Sequence, residues 1–430
     1  MLSRSVRYCC RRDSSDRKVT VKKSRNSIIT VQKFGGSSLS TAAQRERAAS
    51  TIIKRVRMGY QVVAVFSAMG RYPSPYATDS IIASLREVHS SPDRREQDAA
   101  MSCGEILSCV VMASLLRSLG QEAEVMTGFG AGIITDNCYG DARILSINTR
   151  AVKEILSRGA VACVAGFQGI TGKMEITTLG RGGSDTTATA LGAALKASEV
   201  EIYTDVDGVL TVDPQTFRDA EIIRELAYQE MGEMANEGAK VLHSRCVDLA
   251  CAHKVPLWVK GSFSDDKGSF ISSRIPERAR RPEGIITGLI HRTGLAEFET
   301  DFTVISDRAT VRKALFESLA KAGISLDLIN LSYHLLYFTV KEEASSSVSA
   351  ILQKLDIPFR EVGNVAKISC VGIGMKGTPG VMARICEVFA ESGIRILRSV
   401  DSYINISCLI EESQLLPAIS ALHERFCRHH

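Results

Sequence analysis

A β-branched, apolar run, Ile28-Ile29-Thr30-Val31-Gln32-Lys33-Phe34, ends at Gly35-Gly36-Ser37-Ser38, and helical periodicity follows over residues 39–57. This order predicts a strand, a glycine-rich turn and a helix. Apolar runs of strand length recur further along the chain, at 60–67, 159–167 and 200–204. Such runs suit strands that are covered on both faces, and helical stretches separate them. The sequence therefore predicts a doubly wound, mostly parallel α/β sheet over residues 28–265.

Composition limits the classes of protein that the 430 residues can form. The chain has 23% charged and 45% hydrophobic residues, and its length predicts roughly two to four domains. Thirty-three Gly and 10 Pro exclude collagen-like and low-complexity classes. One Trp and 6% aromatic residues argue against a stacking platform for single-stranded nucleic acid, and no apolar run reaches the roughly 18 residues that span a bilayer. Nucleic acid and membranes are therefore not expected as partners.

The positive charge of the chain is concentrated in residues 1–27. Nine Lys/Arg against two Asp give this basic tail +7, so the rest of the chain carries −2 of the net +5. The tail lacks the apolar segment of a secretory signal and is rich in Arg and Ser. It fits a disordered tail, a start placed too far upstream, or an organelle import segment. Twelve scattered Cys without a C-x-x-C pair indicate free thiols in a reducing compartment, so a cytoplasmic location is expected.

The pattern changes in the last third of the chain. A charged stretch that contains Pro276 and Pro282 predicts a linker over 266–284. After it, one pattern occurs twice: a strand, an amphipathic helix that ends at a glycine, two strands and a second helix. This β-α-β-β-α order predicts two ferredoxin-like units, at 285–362 and 363–430.

The turn after the first strand has the features of a phosphate site. Gly35 and Gly36 allow positive φ, so that consecutive N–H groups can turn toward an anion. The following helix adds the partial positive charge of its N-terminus, and Lys33 lies near the end of the strand. A tight strand-to-helix turn with a surface lysine is the alternative.

A second glycine-rich loop, Gly180-Arg181-Gly182-Gly183-Ser184-Asp185, precedes an Ala-rich helix. Arg181 can hold a carboxylate through two parallel hydrogen bonds. Ser184 or Asp185 can instead be the N-cap of the helix. Together with the first loop, this segment favours an anion site.

Polar residues also follow the strand at 200–204. Asp205, after Thr204, can orient a lysine, contact a ribose or hold a metal, and the alternative is an Asx turn before Gly208. Lys240 and Glu105 are unremarkable alone. Ligands of doubly wound sheets bind beyond the carboxyl ends of the strands, so these segments are expected to gather at that edge.

Two glycine motifs are rejected. Gly172-Lys173 resembles the end of a P-loop, but Phe167 stands at the position of its first glycine and Met174 replaces Ser/Thr. The motif at 372–377 matches G-x-G-x-x-G, but only 53 residues follow it, too few for a dinucleotide-binding half. The histidines show no metal-ligand spacing, so no protein-held metal is predicted.

Seven motifs in order, KFGGSS, SAMG, SCGE, GFQGIT, TTLGRGGSDTTA, YTDVDGV and GAKVLHSR, resemble those of the aspartokinases of the amino-acid kinase superfamily. The paired C-terminal units resemble the ACT domains of that family, so the resemblance covers residues 28–430. It implies a kinase that transfers a phosphoryl group from MgATP to the β-carboxylate of L-aspartate, giving 4-phospho-L-aspartate. This is the first step of lysine, threonine and methionine biosynthesis, with diaminopimelate on the lysine branch.

The resemblance also implies residue roles. The ATP-binding positions of the family are matched by Lys33, Phe34, Gly35, Gly36, Thr204, Asp205 and Lys240. Its aspartate-binding positions are matched by Thr78, Glu105, Arg181, Gly182, Gly183 and Ser184, with Arg181 on the α-carboxylate. Catalytic roles are implied for Lys33, Lys240 and Asp185. Three positions depart from the family pattern: Leu210, often aromatic, Gln215, often Arg, and Ser244, usually Pro.

The ACT units imply an amino-acid sensor. The stretch Ser325-Leu326-Asp327-Leu328-Ile329 resembles the effector-binding S-x-D-x-I of the family, with a strand start and one solvated Asp as the alternative. The segment SAMGRYPSPYATDS resembles the diaminopimelate-sensitive bacterial type, which favours lysine or diaminopimelate over threonine as the effector. Effectors of the family bind between paired ACT domains, which implies a homodimer or a higher homo-oligomer.

Three other interpretations stay open: a kinase that acts on acetylglutamate or glutamate, a non-catalytic amino-acid sensor with the kinase fold, and nucleic-acid binding through the basic tail. The two ACT-like units and the R-G-G-S-D loop count against the first. Retention of the implied catalytic and nucleotide-binding residues argues against the second.

Overall fold

The computed structural model describes residues 28–280, 284–375 and 377–428. The predicted basic tail, 1–27, and part of the predicted linker, 281–283, lie outside the described residues. In the described ranges, ten cysteines are free thiols.

The N-terminal part of the chain alternates strands with helices, as predicted. Its strands are β1 (Ile29–Phe34), β2 (Gln61–Phe66), β3 (Ala123–Met126), β4 (Ile133–Thr135), β5 (Ile144–Ile147), β6 (Val161–Ala165), β7 (Gln168–Ile170), β8 (Ile176–Thr178), β9 (Glu199–Thr204), β10 (Glu225–Ala227), β11 (Leu257–Gly261) and β12 (Ser269–Ser272). Its helices are α1 (Ala42–Arg57), α2 (Thr78–Val88), α3 (Arg94–Ser118), α4 (Arg150–Ser157), α5 (Gly183–Leu195), α6 (Tyr228–Glu237) and α7 (Ser244–His253).

Eight of these strands form one sheet, in the order β10-β12-β11-β9-β1-β2-β6-β3. Every neighbouring pair in the described sheet is parallel except β11 with β12. The doubly wound, mostly parallel sheet is therefore confirmed. It includes β12, a strand that falls within the segment predicted as the linker, 266–284. A small second sheet, β5-β4-β7-β8, was not predicted.

Successive side chains of β1 point to opposite faces of the sheet, and each face is covered by a different layer of helices. Val31 packs in an apolar cluster with residues of α5, α6 and α7, whereas Phe34 packs in another cluster with residues of α1 and α3. Lys33 shares the side of Val31. It therefore points from the end of the strand toward helix α5.

Parallel strands end together at one edge of the sheet. The register pairs Phe34 with Phe66 and with Tyr203, and Phe66 with Ala165. The segments that follow β1, β2, β6 and β9 therefore leave the sheet side by side, as the sequence predicts.

Helix α3 is long and apolar enough to cross a bilayer by length and composition. Its buried residues Cys109, Met112 and Leu116 pack in the same cluster as Phe34, against the central sheet. A core helix of a folded domain has the same composition, so this packing accounts for its apolar character.

The C-terminal part forms a second, six-stranded sheet, in the order β14-β15-β13-β16-β18-β17. Its strands are β13 (Gly288–Asp301), β14 (Asp327–Leu331), β15 (Leu335–Lys341), β16 (Phe359–Val371), β17 (Arg398–Asp401) and β18 (Asn405–Glu411). Its helices are α8 (Arg308–Lys321), α9 (Ser345–Lys354), α10 (Val381–Glu391) and α11 (Leu415–Phe426). Helices α8 and α9 cover one half of the sheet, and α10 and α11 cover the other.

Strand β13 belongs to both halves of this sheet. Residues 288–292 pair with residues 367–371 of β16. The same residues of β16 pair with β18 on their other side. Residues 297–300 pair with 359–362 and with β15. The segment predicted as the first unit, 285–362, thus supplies a strand to the sheet of the second, 363–430.

Candidate active site

A cavity of about 230 Å³ opens at the carboxyl edge of the large sheet. Eight residues that the sequence singled out line it: Lys33, Thr78, Glu105, Arg181, Gly182, Gly183, Ser184 and Asp185. Gly180, the first residue of the predicted glycine-rich loop, also lines the cavity. Sequence reasoning missed two further lining residues, Ser67 and Phe167. Each of these lies one or two residues after a strand of the described chain, which is the signal that could have found them.

Lys33 is held by an acid on the helix that faces it. Its Nζ lies 2.6 Å from Oδ1 of Asp185, and the two side chains are 11% and 12% exposed. Asp185 belongs to the first turn of α5, where the helix dipole stabilises a negative charge. The pair therefore fixes a cation at the inner end of the cavity.

The glycines after β1 serve a different purpose from the one predicted. Gly35 has φ −72°, outside the left-handed region that the sequence analysis expected. A Cβ on Gly36 would lie 2.5 Å from the carbonyl oxygen of Ala68 and 2.7 Å from that of Gly70. Glycine is required at 36 because two stretches of backbone approach each other there.

The loop that carries Arg181 does need left-handed glycines. Gly180 has φ 71° and Gly182 has φ 67°. Gly182 is the N-cap of α5, so neither Ser184 nor Asp185 is the cap that the sequence analysis offered as an alternative. A Cβ on Gly183 would lie 2.5 Å from the ring of Phe167, so the helix starts directly against the cavity wall.

Glu105 brings a buried carboxyl group to the cavity. It lies on α3 and is 2% exposed. Its Oε1 accepts a hydrogen bond from the backbone N–H of Ala68 at 3.2 Å, whereas its Oε2 has no hydrogen-bond partner among the described residues. Burial raises the pKa of Glu105 to about 8, against a smaller lowering by its backbone hydrogen bonds. An unpartnered buried oxygen of this kind suits a cationic ligand.

Thr204 and Asp205 lie at the same edge, after β9. Oδ2 of Asp205 lies 2.7 Å from Nη2 of Arg71, and the hydroxyl of Thr204 donates to Oδ1 of Asp205 at 3.1 Å. Ser262, after β11, donates its N–H to the carbonyl oxygen of Thr204 at 2.8 Å. The polar ends of β1, β2, β9 and β11 thus adjoin one another.

Lys240 lies apart from the residues that line the cavity. It occupies the segment between α6 and α7, its side chain is 79% exposed, and its Nζ lies 3.7 Å from Oδ2 of Asp213. Gln215 donates its N–H to the same carboxyl group, so one of the positions that departs from the family pattern is close to Lys240. Three residues after Lys240, His243 packs against Gly182. The segment is therefore adjacent to the Arg181 loop, although its lysine points to solvent.

Comparison with known families agrees with this architecture. The model of the amino acid kinase family matches residues 29–261, and a model of the ACT domain matches residues 368–426. The first match covers the large sheet and its helices, and the second covers the second half of the six-stranded sheet.

Characterised relatives and solved structures point to one family. Aspartokinase 1 of Bacillus subtilis is 38% identical over 93% of this chain and 98% of its own. The aspartokinase of Mycobacterium tuberculosis is 35% identical over 93% of this chain and 96% of its own. The aspartate kinase structure from Synechocystis is 31% identical, covers 93% of this chain and 69% of its own, and has a TM-score of 0.52. That from Clostridium acetobutylicum, 20% identical, shares the fold with a TM-score of 0.74 over 93% of this chain and 100% of its own. The chain belongs to the aspartokinases, a group within the amino acid kinase family.

Proposed function

We propose that the cavity at the sheet edge is where the γ-phosphoryl group of MgATP passes to the β-carboxylate of L-aspartate, giving 4-phospho-L-aspartate. One observation carries this proposal. Two cations, Lys33 and Arg181, and one buried acid, Glu105, face one small cavity. A ligand that bears two carboxylates and one ammonium group complements that arrangement of charge.

Each group of aspartate has a candidate partner. Arg181 can hold the α-carboxylate through two parallel hydrogen bonds. Oε2 of Glu105 can accept a hydrogen bond from the α-ammonium, which would satisfy a buried oxygen that has no partner among the residues the structure describes. Side chains of Thr78 and Ser184 and the backbone of Gly182 and Gly183 complete the proposed substrate contacts.

The chemistry asks little of the protein beyond placement and charge. A carboxylate is already the nucleophile at neutral pH, since aspartic acid is mostly ionised above about pH 4. Phosphoryl transfer then depends on alignment and on neutralising the phosphate oxygens. Lys33, held by Asp185, is the proposed cation for those oxygens.

The nucleotide is proposed to bind on the side of the β1 turn, with Phe34, Gly35, Gly36, Thr204, Asp205 and Lys240 as its contacts. Among the described residues there is no cluster of three or more His, Cys, Asp or Glu that could hold a metal ion. This fits a Mg²⁺ ion that arrives with the nucleotide, since magnesium takes its oxygens largely from phosphates, water and one or two carboxylates. When bound, the ion would neutralise charge on the phosphate oxygens, and Asp185 and Asp205 are two acids at that edge that could hold it.

Regulation is proposed to begin at Ser325, Asp327 and Ile329. Oδ2 of Asp327 lies 2.5 Å from Nζ of Lys367, a lysine that is only 2% exposed. The same ammonium lies 2.8 Å from Oε2 of Glu237, the last residue of α6. Burial raises the pKa of Asp327, but the Lys367 ammonium outweighs it and the pKa lies below its usual range. An effector ammonium that binds Asp327 would compete with Lys367.

The C-terminal end of α6 links the competition between the effector and Lys367 to the segment that carries Lys240. Arg292 of β13 donates from Nε to the carbonyl oxygen of Glu237 at 2.8 Å, and its side chain also lies 3.9 Å from Asp327. Three residues after Glu237 the chain reaches Lys240. Lysine or diaminopimelate, each with a second ammonium group, is the proposed effector in preference to threonine.

Assembly is proposed from an exposed edge strand, and location is proposed from the cysteines. Strand β14 lies at an edge of the six-stranded sheet and exposes Ile329 and Leu331, so a homodimer or higher homo-oligomer is proposed through this part of the chain. A cytoplasmic location is proposed from the free cysteines, with organelle import through residues 1–27 as the alternative.

A hydroxamate assay tests the proposed reaction, because hydroxylamine traps acyl phosphates. ATP-dependent turnover is expected with aspartate and not with acetylglutamate or glutamate. Lys33→Ala and Arg181→Ala are each expected to lose nearly all activity. Arg158→Ala, which removes an exposed pair with Glu124 outside the cavity, is the matched control. Turnover with glutamate, or full activity in both variants, would contradict the proposal. Added lysine, diaminopimelate and threonine identify the effector in the same assay.

A further inference from the structure

The first turn of helix α7 contains an arginine, although a positive charge is unfavourable at a helix N-terminus. Arg245 is its second residue, and the helix N-terminus carries partial positive charge. The side chain is about one-third exposed, so it is not driven there by burial. Its location is explained by what the guanidinium group contacts.

Arg245 reaches the loop that carries Arg181. Its Nη1 donates to the carbonyl oxygen of Leu179 at 2.8 Å, and its Nη2 lies 2.7 Å from Oδ1 of Asp141. Leu179 is fully buried and lies two residues before Arg181. The same oxygen of Asp141 would lie 2.6 Å from a Cβ on Gly180, so the acid lies against the backbone of the loop.

The other end of the loop is held by the same helix turn. The Cβ of His243, the N-cap of α7, would lie 2.3 Å from a Cβ on Gly182. The first turn of α7 therefore grips the loop before and after Arg181. The strand before it is fixed as well, because Asp98 accepts from the N–H of Thr178 at 2.8 Å.

We propose that Arg245 is a positioning residue for aspartate recognition, which acts by holding the Leu179–Gly180 backbone so that Arg181 meets the substrate carboxylate. This rests on the proposed role of Arg181. The planar guanidinium group contacts a carbonyl and a carboxylate at once, which a lysine ammonium at the same site cannot do with fixed geometry. Arg245 also belongs to the segment that follows Lys240, so it joins the aspartate loop to the proposed nucleotide side.

Arg245→Lys tests this inference by keeping the charge and removing the two-point contact. The KM for aspartate is expected to rise about tenfold, as loss of one hydrogen bond to a charged group implies, while the KM for ATP stays within about twofold. Asp141→Asn removes only the exposed half of the contact and is expected to give a smaller rise, about threefold, in the same KM. Arg158→Lys, which alters an exposed Arg–Glu pair elsewhere, is the matched control with unchanged constants.

A double-mutant cycle separates positioning from general stabilisation. If Arg245 acts through Arg181, Arg245→Lys changes the KM for aspartate by less than twofold in an Arg181→Lys background. Equal rises of both KM values, or a full tenfold rise in that background, would overturn the inference. The inference would also be overturned if the wild-type enzyme turns over aspartate and Arg245→Lys has the same KM for aspartate as the wild type. A wild-type enzyme that does not turn over aspartate would instead refute the proposed function.

Discussion

Nζ of Lys33 lies 2.6 Å from Oδ1 of Asp185, and the two residues come from different elements that meet at one edge of the sheet. Lys33 comes from the end of β1, and Asp185 comes from the start of α5. Both side chains are close to nine-tenths buried, so removal of either one leaves the charge of the other without its partner. The pair pre-orients the lysine for a phosphate before any ligand binds.

Asp185→Asn should therefore lower both activity and stability. The amide keeps the shape of the side chain but leaves the Lys33 ammonium without its counter-charge. We expect kcat to fall by about 10²-fold, the usual effect of losing one preorganised electrostatic group. The free energy of unfolding should fall by about 3 kcal/mol, since a largely buried cation loses its partner. Steady-state kinetics and urea unfolding measure the two effects.

Asp265→Asn is the matched control for that variant. Asp265 forms a long, 3.8 Å pair with Arg47, and its side chain is fully exposed. Kinetics and unfolding should both be unchanged. Wild-type kcat in Asp185→Asn would show that Lys33 needs no support from Asp185.

Gly36→Ala should destabilise the turn although no unusual backbone angle is involved. The added Cβ meets two carbonyl oxygens of the backbone, of Ala68 and Gly70, and neither can move without shifting the segment after β2. We expect a loss of about 1–3 kcal/mol in the free energy of unfolding, as in other overpacked sites, with a matching fall in nucleotide affinity. Thermal unfolding and ATP titration measure these quantities. Gly172→Ala is the control, because a Cβ there would have no neighbour within 4 Å in the described part of the chain. Equal stability of the two variants would contradict the close-approach explanation.

Glu105 should make aspartate recognition depend on pH. Burial raises its pKa from 4.5 to about 8, so the free enzyme holds a proton on this group at neutral pH. An ammonium ligand needs the ionised form. We expect kcat/KM for aspartate to rise with pH up to about 8, and we expect Glu105→Gln to lose this rise. Aspartate binding should also release a proton near pH 7, which calorimetry in two buffers of different ionisation enthalpy detects.

The raised pKa of Glu105 also makes the free energy of unfolding depend on pH. Between pH 4.5 and about 8 the folded state binds a proton at Glu105 that the unfolded state has released. The free energy of unfolding therefore falls as the pH rises through this window and is level above it. Glu105→Gln should show a smaller fall over the same range. Superimposable pH profiles of the two proteins, in kinetics and in unfolding, would refute the assigned pKa.

Much of the large sheet could be predicted because its strands are buried on both faces and their sequences are continuously apolar. The rule that parallel strands end at a common edge accounts for Lys33, Thr204 and Asp205. It does not account for Glu105, which lies on helix α3, or for Arg181, which follows β8 of the small second sheet. The residues that support them could not be found in this way. Arg245 and Asp141 are 104 positions apart, and no local pattern signals that they meet.

The same limit applies to the other differences between sequence and structure. Glycine is required at position 36 because the backbone of Ala68, in the segment after β2, lies close to it. The backbone conformation of Gly36 itself does not require glycine. The sharing of β13 between two half-sheets depends on pairing between residues far apart in the chain, from Thr300 with Phe359 to Gly288 with Val371. Local propensity carries no information on such pairings. Only the family resemblance groups Lys240 with Lys33, and the side chain of Lys240 lies toward solvent.

Asp327→Asn should weaken inhibition by the effector much more than it changes uninhibited turnover. The amide cannot pair with an effector ammonium, and Asp327 lies in the six-stranded sheet, outside the residues that line the cavity. We expect the half-inhibiting concentration of the effector to rise at least about tenfold, within the usual range of allosteric coupling, with kcat within about twofold of wild type. Inhibition curves and direct calorimetric titration measure this.

Glu237→Gln should separate binding from inhibition. Glu237 contacts Lys367 and not Asp327, so the effector site keeps its carboxylate while the link to α6 loses its charge. We expect effector affinity within about twofold of wild type but a higher residual activity at saturation, because the bound effector no longer shifts α6 through Lys367. Glu343→Gln, at an exposed pair with Lys341, is the control and should behave as wild type in both measurements. If Glu237→Gln were inhibited as completely as wild type at saturating effector, the ion-pair chain from Asp327 to α6 would not be the route of coupling.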